Sequence, residues 1–486
     1  MKPPFPIGLP FLHLPLLAVV LLCALAPLRA EADPPAPFGA VPSQRQLRRQ
    51  AMRICAFLHF TVNTFTDREW GHGDEDPNVF NPTEFDPDGI VSALKEAGVE
   101  GVILTCKHHD GFCLWPTKAT DHSVAHSSWM GGKGDVVRAI SDACRRHGLK
   151  FGIYLSPWDR NNAEYARPGY LKVYHEQLHE LLTQYGPLFE VWFDGANGGD
   201  GYYGGARETR KIPDGYYGFP EIAKMVRKLQ PNAVMFGGGD DLRWVGNEDG
   251  YANDTCWATV GNGPWDAATG NVGGDRWMPA ECDVSIRPGW FWHARENGQV
   301  KSPAKLFSLY CRSVGHGALM LLNIPPDRRG KLCDADLASL RGFHEILRRT
   351  FAVNLAKGAK LTASNVRSGD PAYGPENLLK SRGGYWATDD GVATPSLVLE
   401  TGREVSFNVV ELQEKIALGQ RIEEFALDRW SGGAWEEFAR GTSVGSCRLV
   451  RLPESVTTSR VRLRIEKSGA CIALSRFGLY LKPAEQ

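Results

Sequence analysis

The chain has 486 residues, a length that suggests two or three domains, with barrels running to about 250 residues as one. Hydrophobic residues make up 43% and charged residues 23%, which excludes disorder, collagen and coiled coil as the main class. Lys+Arg is 55 and Asp+Glu is 56, a net charge of -1, so no global positive field exists to hold nucleic acid or to favour an anionic membrane. The 14 Trp, 14 Tyr and 22 Phe serve cores first. They also suit carbohydrate sites, where the C–H face of a sugar packs on a flat apolar ring.

Lys2 precedes an apolar run over 11–25, and Ala30-Glu31-Ala32 gives a small-x-small cleavage pattern. Residues 1–32 therefore read as a signal peptide, since polar, Pro-rich chain follows. A run this short with these flanks predicts no stable membrane insertion. The expected location is secreted or periplasmic. Cys23 follows Leu21 and Leu22, a poor lipoprotein context. The other ten cysteines are scattered without a C-x-x-C pair, against a zinc ribbon or thioredoxin motif. Residues 33–49 read as a Pro-rich N-terminal segment, a tail of the mature chain.

From 50 to 351 short apolar runs alternate with helical patterns. Strands are expected over 54–62, 101–106, 150–155, 189–193, 233–237 and 318–324, with a weaker one over 289–293. Helices are expected over 90–97, 136–147, 170–185, 221–229, 303–314 and 334–347. The helix over 136–147 has Arg145, Arg146 and His147 near its end and Gly148 after it, which suits the dipole and the cap. Continuous apolar strands alternating with helices mean a parallel sheet covered on both faces. About 300 residues of this pattern fit a (β/α)8-like barrel better than an open sheet. Gly237-Gly238-Gly239 is not G-x-G-x-x-G, so a dinucleotide fold is disfavoured. Residues 352–486 change texture to short alternating runs and turns, and read as an all-β sandwich.

In a barrel, side chains at the carboxyl ends of strands face the active site. The first strand carries His59. The second runs into Lys107-His108-His109-Asp110. The third ends in Tyr154-Leu155-Ser156-Pro157-Trp158, the fourth in Trp192-Phe193-Asp194-Gly195, and the last in Asn323. Polar groups thus recur at one level of the fold. Asp194 also suits a loop cap, since Asp-Gly is common turn chemistry. His108-His109 could ligate a metal, but adjacent histidines diverge on extended chain and no H-E-x-x-H follows. Recognition of hydroxyls by neutral imidazole fits better, and neither metal nor cofactor is expected. Glycoside hydrolysis needs two carboxylates. Asp194 supplies one. Glu248, beside aromatic and glycine residues in Arg243-Trp244-Val245-Gly246-Asn247-Glu248, is a candidate acid whose pKa partial burial would raise. Glu281 competes for that role.

These stretches resemble the α-L-fucosidases of glycoside hydrolase family 29. The resemblance rests on Phe57-Leu58-His59-Phe60-Thr61, Glu69-Trp70-Gly71, Phe80-Asn81-Pro82, Phe85-Asp86-Pro87, Thr105 through Phe112 with Leu114-Trp115, Gly152 through Ser156, and Val191 through Ala196. It implies a retaining exo-α-L-fucosidase with Asp194 as nucleophile. It places His59, Glu69, Trp70, His108, His109, Tyr154, Trp158 and Trp192 in sugar-binding segments. The stretch ending at Glu248 resembles the subgroup acting on α-1,3/1,4-linked fucose of branched, Lewis-type glycans, with Glu248 as acid/base. The stretch from Glu281 to His293 aligns with a second motif, leaving Glu281 as the alternative acid, with Arg287 and Trp290 as possible sugar contacts. Rival readings are a broader fucosidase acting on α-1,2 or α-1,6 linkages, and a glycan-binding protein without catalysis. The implied partners are fucosylated oligosaccharides or glycoproteins. Asn354-Leu355-Ala356, Pro375 through Leu379, and Tyr385 through Asp390 resemble a discoidin-type (F5/8 C) or family 32 carbohydrate-binding sandwich.

Overall fold

The computed structural model describes residues 1, 32–380 and 383–484. The expected leader, apart from its terminal residues Met1 and Ala32, lies outside the described residues. Eight parallel strands form one sheet: β1 (Ile54–Leu58), β2 (Gly101–Lys107), β3 (Lys150–Leu155), β4 (Leu188–Trp192), β5 (Val234–Phe236), β6 (Arg243–Trp244), β7 (Ala280–Ser285) and β8 (Leu319–Asn323). Their order is β5-β4-β3-β2-β1-β8-β7-β6. A single parallel bridge between Phe236 and Leu242 joins the two ends, so the sheet is a nearly closed barrel. β1, β2, β7 and β8 are buried along their whole length, as expected of strands covered on both faces.

Helices follow most strands, and the expected boundaries hold well where caps are explicit. The Val136–His147 helix starts on Asp135, whose side chain accepts from Arg138 N–H, and stops at left-handed Gly148, φ 72°, which needs no Cβ clearance. β5 and β6 are joined by residues 237–242 alone, without a helix. β6 reaches β7 through a loop that carries the Thr259–Val260/Arg276–Trp277 ribbon.

The expected strand over 289–293 is not one; the strand there is β7. Its sequence, Ala280-Glu281-Cys282-Asp283-Val284-Ser285, alternates polar and apolar residues, all of them buried. The polar set therefore faces the barrel interior instead of solvent, and the segment does not read as an apolar run.

Under the barrel a short helix, Gln44–Gln50, delivers Arg49. Its guanidinium donates to Glu190 Oε2 at 2.6 Å and Glu281 Oε2 at 2.5 Å, with all three side chains fully buried. Burial, and then neighbouring Glu281, hold the Glu190 carboxyl well above the usual range.

Beyond Phe351 lies one antiparallel sheet. Its strands are β9 (Lys360–Ala363), β10 (Trp386–Ala387), β11 (Ser396–Glu414), β12 (Ile422–Ser431), β13 (Ala434–Thr442), β14 (Arg448–Ser468) and β15 (Ala473–Tyr480). The order is β10-β15-β11-β14-β12-β13, with β9 also on β11. The long strand β11 bends through register shifts at Glu400/Val405 and Phe407/Val409. This module grips the barrel. Gln420 accepts from Ala258 N–H at 2.8 Å and donates to Cys256 carbonyl at 3.1 Å. Arg53 reaches buried Glu411 at 3.0 Å.

The Pro-rich segment is no loose tail. Phe38 N–H donates to Leu418 carbonyl at 3.0 Å, and Arg367 donates to Asp33 carbonyl at 2.6 Å. The ten described cysteines are free thiols. Among the described residues no helix is long and apolar enough to cross a membrane.

Replacing Arg49 with Leu leaves two carboxyl groups buried without their cation. Thermal or denaturant unfolding should show a loss of about 3–5 kcal/mol.

Candidate active site

A cavity of about 630 Å³ opens over the carboxyl ends of the strands, a size in the usual range for small-ligand sites. Its floor is aromatic. Trp192 is stacked between Phe236, with centroids 4.2 Å apart, and Tyr154, at 5.2 Å. The Trp192 indole N–H donates to Glu281 Oε1 at 3.0 Å. Glu281 is therefore a support beneath the floor: it is fully buried and bound to Arg49, with no path to a glycosidic oxygen.

Asp194 stands at the end of β4 with 24% of its side chain exposed. Oδ2 accepts from Tyr154 Oη at 2.9 Å, and Oδ1 accepts from Ala196 N–H at 2.7 Å. Burial, then the Asp194 charge, push the Tyr154 phenol well above its usual range, so it stays a donor and orients the carboxylate.

Three buried histidines line the same wall. Asn323 donates its amide hydrogens to Ser285 Oγ and Trp290 carbonyl, so its oxygen accepts from His59 Nδ1 at 2.9 Å. Ser156 donates to Trp158 carbonyl, so it accepts from His109 Nδ1 at 2.7 Å. Asn63 donates to Glu69 carbonyl at 3.2 Å and approaches His108 Nδ1 at 3.4 Å. These contacts set the tautomers. His59 and His109 turn an acceptor Nε2 to the cavity, and His108 turns a donor. Burial lowers His59 and His109 to about 4 and His108 well below its usual range. All three are neutral at pH 7. Two acceptors and one donor, fixed in a buried wall, suit a ligand with several hydroxyl groups.

Trp70, half exposed, stands edge-on to His109 at 5.2 Å and to Trp158 at 5.5 Å. Trp158 is one layer back, packed on His109 and donating to Tyr203 Oη at 3.0 Å. Glu248 and Trp290 line the cavity opposite, and the Trp290 indole donates to Glu248 Oε2 at 3.1 Å. Glu248 is exposed, where partial burial was expected. Arg287 is not in the cavity. It is fully buried and paired with Asp336 at 2.9 Å. Glu69 is not among the residues that line the cavity; Trp290 N–H, Phe291 N–H and His293 contact its carboxylate.

Asp283 and Trp244, neither expected as a site residue, also stand on the cavity wall. Trp244 Nε1 donates to Asp283 Oδ1 at 2.8 Å. Burial, with Glu281 and Glu248 adding to it, pushes the Asp283 carboxyl well above the usual range. The alternation Glu281-x-Asp283-x-Ser285 is the signal that would have placed it on an inward strand face. Among the described residues no group of three or more His, Cys, Asp or Glu is arranged to hold a metal ion.

Residues 42–350 match the family model described as alpha-L-fucosidase. The chain is 41% identical to Alpha-L-fucosidase 1 of Arabidopsis thaliana over 92% of its own length and 88% of the relative's. It superposes on a putative alpha-L-fucosidase from Bacteroides thetaiotaomicron with TM-score 0.84 and 38% identity, covering 92% and 99% of the two chains. A Ruminococcus gnavus GH29 fucosidase solved in complex with fucose gives TM-score 0.85 at 31% identity, covering 93% and 97%. The chain belongs to the family 29 α-L-fucosidases, and it is a glycoside hydrolase.

Proposed function

We propose that the protein is a retaining exo-α-L-fucosidase that removes terminal α-1,3/1,4-linked fucose from branched, Lewis-type glycans, with Asp194 as nucleophile and Glu248 as acid/base. The observation that carries this reading is the Asp194 carboxylate, held by Tyr154 and Ala196 in one cavity with Glu248. Asp194 attacks the anomeric carbon while Glu248 protonates the departing oxygen. The covalent fucosyl–enzyme is then hydrolysed by water that Glu248 deprotonates, and configuration is retained. His59, His108 and His109 bind the ring hydroxyls. Their grip on the sugar supplies binding energy that favours the distorted, oxocarbenium-like geometry. Trp244, on the cavity wall and 45% exposed, supports a contact with the sugar that carries the fucose.

The leader pattern supports a secreted or periplasmic location. In the discoidin-like stretch, Trp386 is fully buried, and both oxygens of Asp389 are taken by Asn365 and Ser368. These residues support scaffolding, and the module's grip on residues 256–258 supports the same role.

Asp194→Ala should lose turnover, and azide should restore it with formation of the β-fucosyl azide. An inverted product from the wild type, without azide rescue, would contradict the scheme. On fucosylated oligosaccharides, product analysis should show fucose leaving Lewis a and Lewis x trisaccharides faster than 2′-fucosyllactose. The neutral histidines set the pH response of binding. Below about 4, His59 and His109 gain a proton on the nitrogen that accepts from sugar. The KM for a fucoside should stay flat from about pH 5 to 8 and rise only towards about pH 4, with no break near the ordinary imidazole value of about 6.5.

A further inference from the structure

Glu69 sits in a motif that suggests a sugar contact, and three protein groups hold its carboxylate. Oε2 accepts Trp290 N–H at 2.7 Å. Oε1 accepts Phe291 N–H at 3.2 Å and lies 2.6 Å from His293 Nε2. The other ring nitrogen of His293 lies 2.7 Å from Asp67 Oδ1, and Arg295 reaches Asp67 Oδ2 at 2.7 Å. The His293 ring is fully buried. A neutral imidazole has one N–H, and an ionised carboxylate only accepts. The ring bridges the two carboxylates, with a nitrogen within hydrogen-bond distance of each, so the three groups form a clamp. Gly289 leaves the space for it, because a Cβ there would lie 2.5 Å from Glu69 Oε1.

The clamp holds Trp290. Glu69 fixes its N–H, and Asn323 donates to its carbonyl at 2.7 Å. The indole N–H donates to Glu248 Oε2 at 3.1 Å. Among the described residues this is the one hydrogen-bond donor to Glu248, which is exposed on its loop.

We infer that Asp67, His293 and Glu69 are positioning residues that aim Glu248 through Trp290. The inference rests on the reading of Glu248 as the acid/base. A misplaced acid slows only leaving groups that need a proton, so the test compares two fucosides: a 2,4-dinitrophenyl fucoside, whose phenolate leaves unaided, and a Lewis trisaccharide. The readout is kcat/KM, which reports the steps up to departure of the leaving group. Gly289→Ala displaces the Glu69 carboxylate without changing any charge, and His293→Phe removes both bridging nitrogens.

Each should lower kcat/KM on the trisaccharide by about tenfold or more, the usual worth of a hydrogen bond to a charged group. The dinitrophenyl fucoside should change little. Glu248→Ala should show the same split, larger, at about 10²–10⁴-fold. Equal losses on both substrates in the relay variants, alongside a split in Glu248→Ala, overturn the relay alone. No split in Glu248→Ala overturns the acid/base reading, and the relay with it. Melting temperatures identify a variant that fails to fold. If His293→Phe does, Gly289→Ala decides the question.

Discussion

One buried cation supports the catalytic face. Arg49 enters the barrel from below and binds Glu190 on β4 and Glu281 on β7. Glu281 in turn accepts from the indole of Trp192, the aromatic plate on which the cavity rests. A guanidinium suits this place, because its planar fork meets two carboxyl groups at once. Ion pairs this deep add little net stability against an apolar filling, but losing one partner strands the others in a medium that cannot solvate them. The floor of the site is thus tied to the floor of the barrel through a chain of three residues.

Above that floor, burial does the electrostatic work. The wall of histidines is buried, and desolvation keeps all three rings neutral. Neutral rings with set tautomers offer a fixed pattern of donors and acceptors, which charged rings would not. The negative charge of Asp194 faces this wall, with Tyr154 and Ala196 N–H fixing its direction. Preorganised dipoles of this kind cost no reorganisation when charge moves in a reaction.

The C-terminal sheet belongs to the same machine. Gln420 pairs like a strand edge with residues 256–258, on the segment that follows Glu248. The N-terminal segment crosses back onto this module at Phe38 and Asp33, through Leu418 and Arg367. The C-terminal module thus holds both the segment that follows Glu248 and, through Arg53 and Glu411, the entry to β1.

The sequence by itself determined the alternating architecture, most strand and helix positions, and the strand-end residues His59, His108, His109, Tyr154 and Asp194. These are local signals: apolar runs, caps, and polar groups that break a run at its carboxyl end. Tertiary structure alone decided what buried polar residues do. Glu281, Glu69 and Arg287 carry the same charges as catalytic or sugar-binding groups, and nothing local shows that their partners are Arg49, His293 and Asp336, which lie far away along the chain. β7 stayed hidden for the same reason, since a strand whose inward face is polar looks like a loop until the barrel closes around it. Charge is written in the residue, but its role depends on which donors and how much water surround it, and only the folded chain sets those.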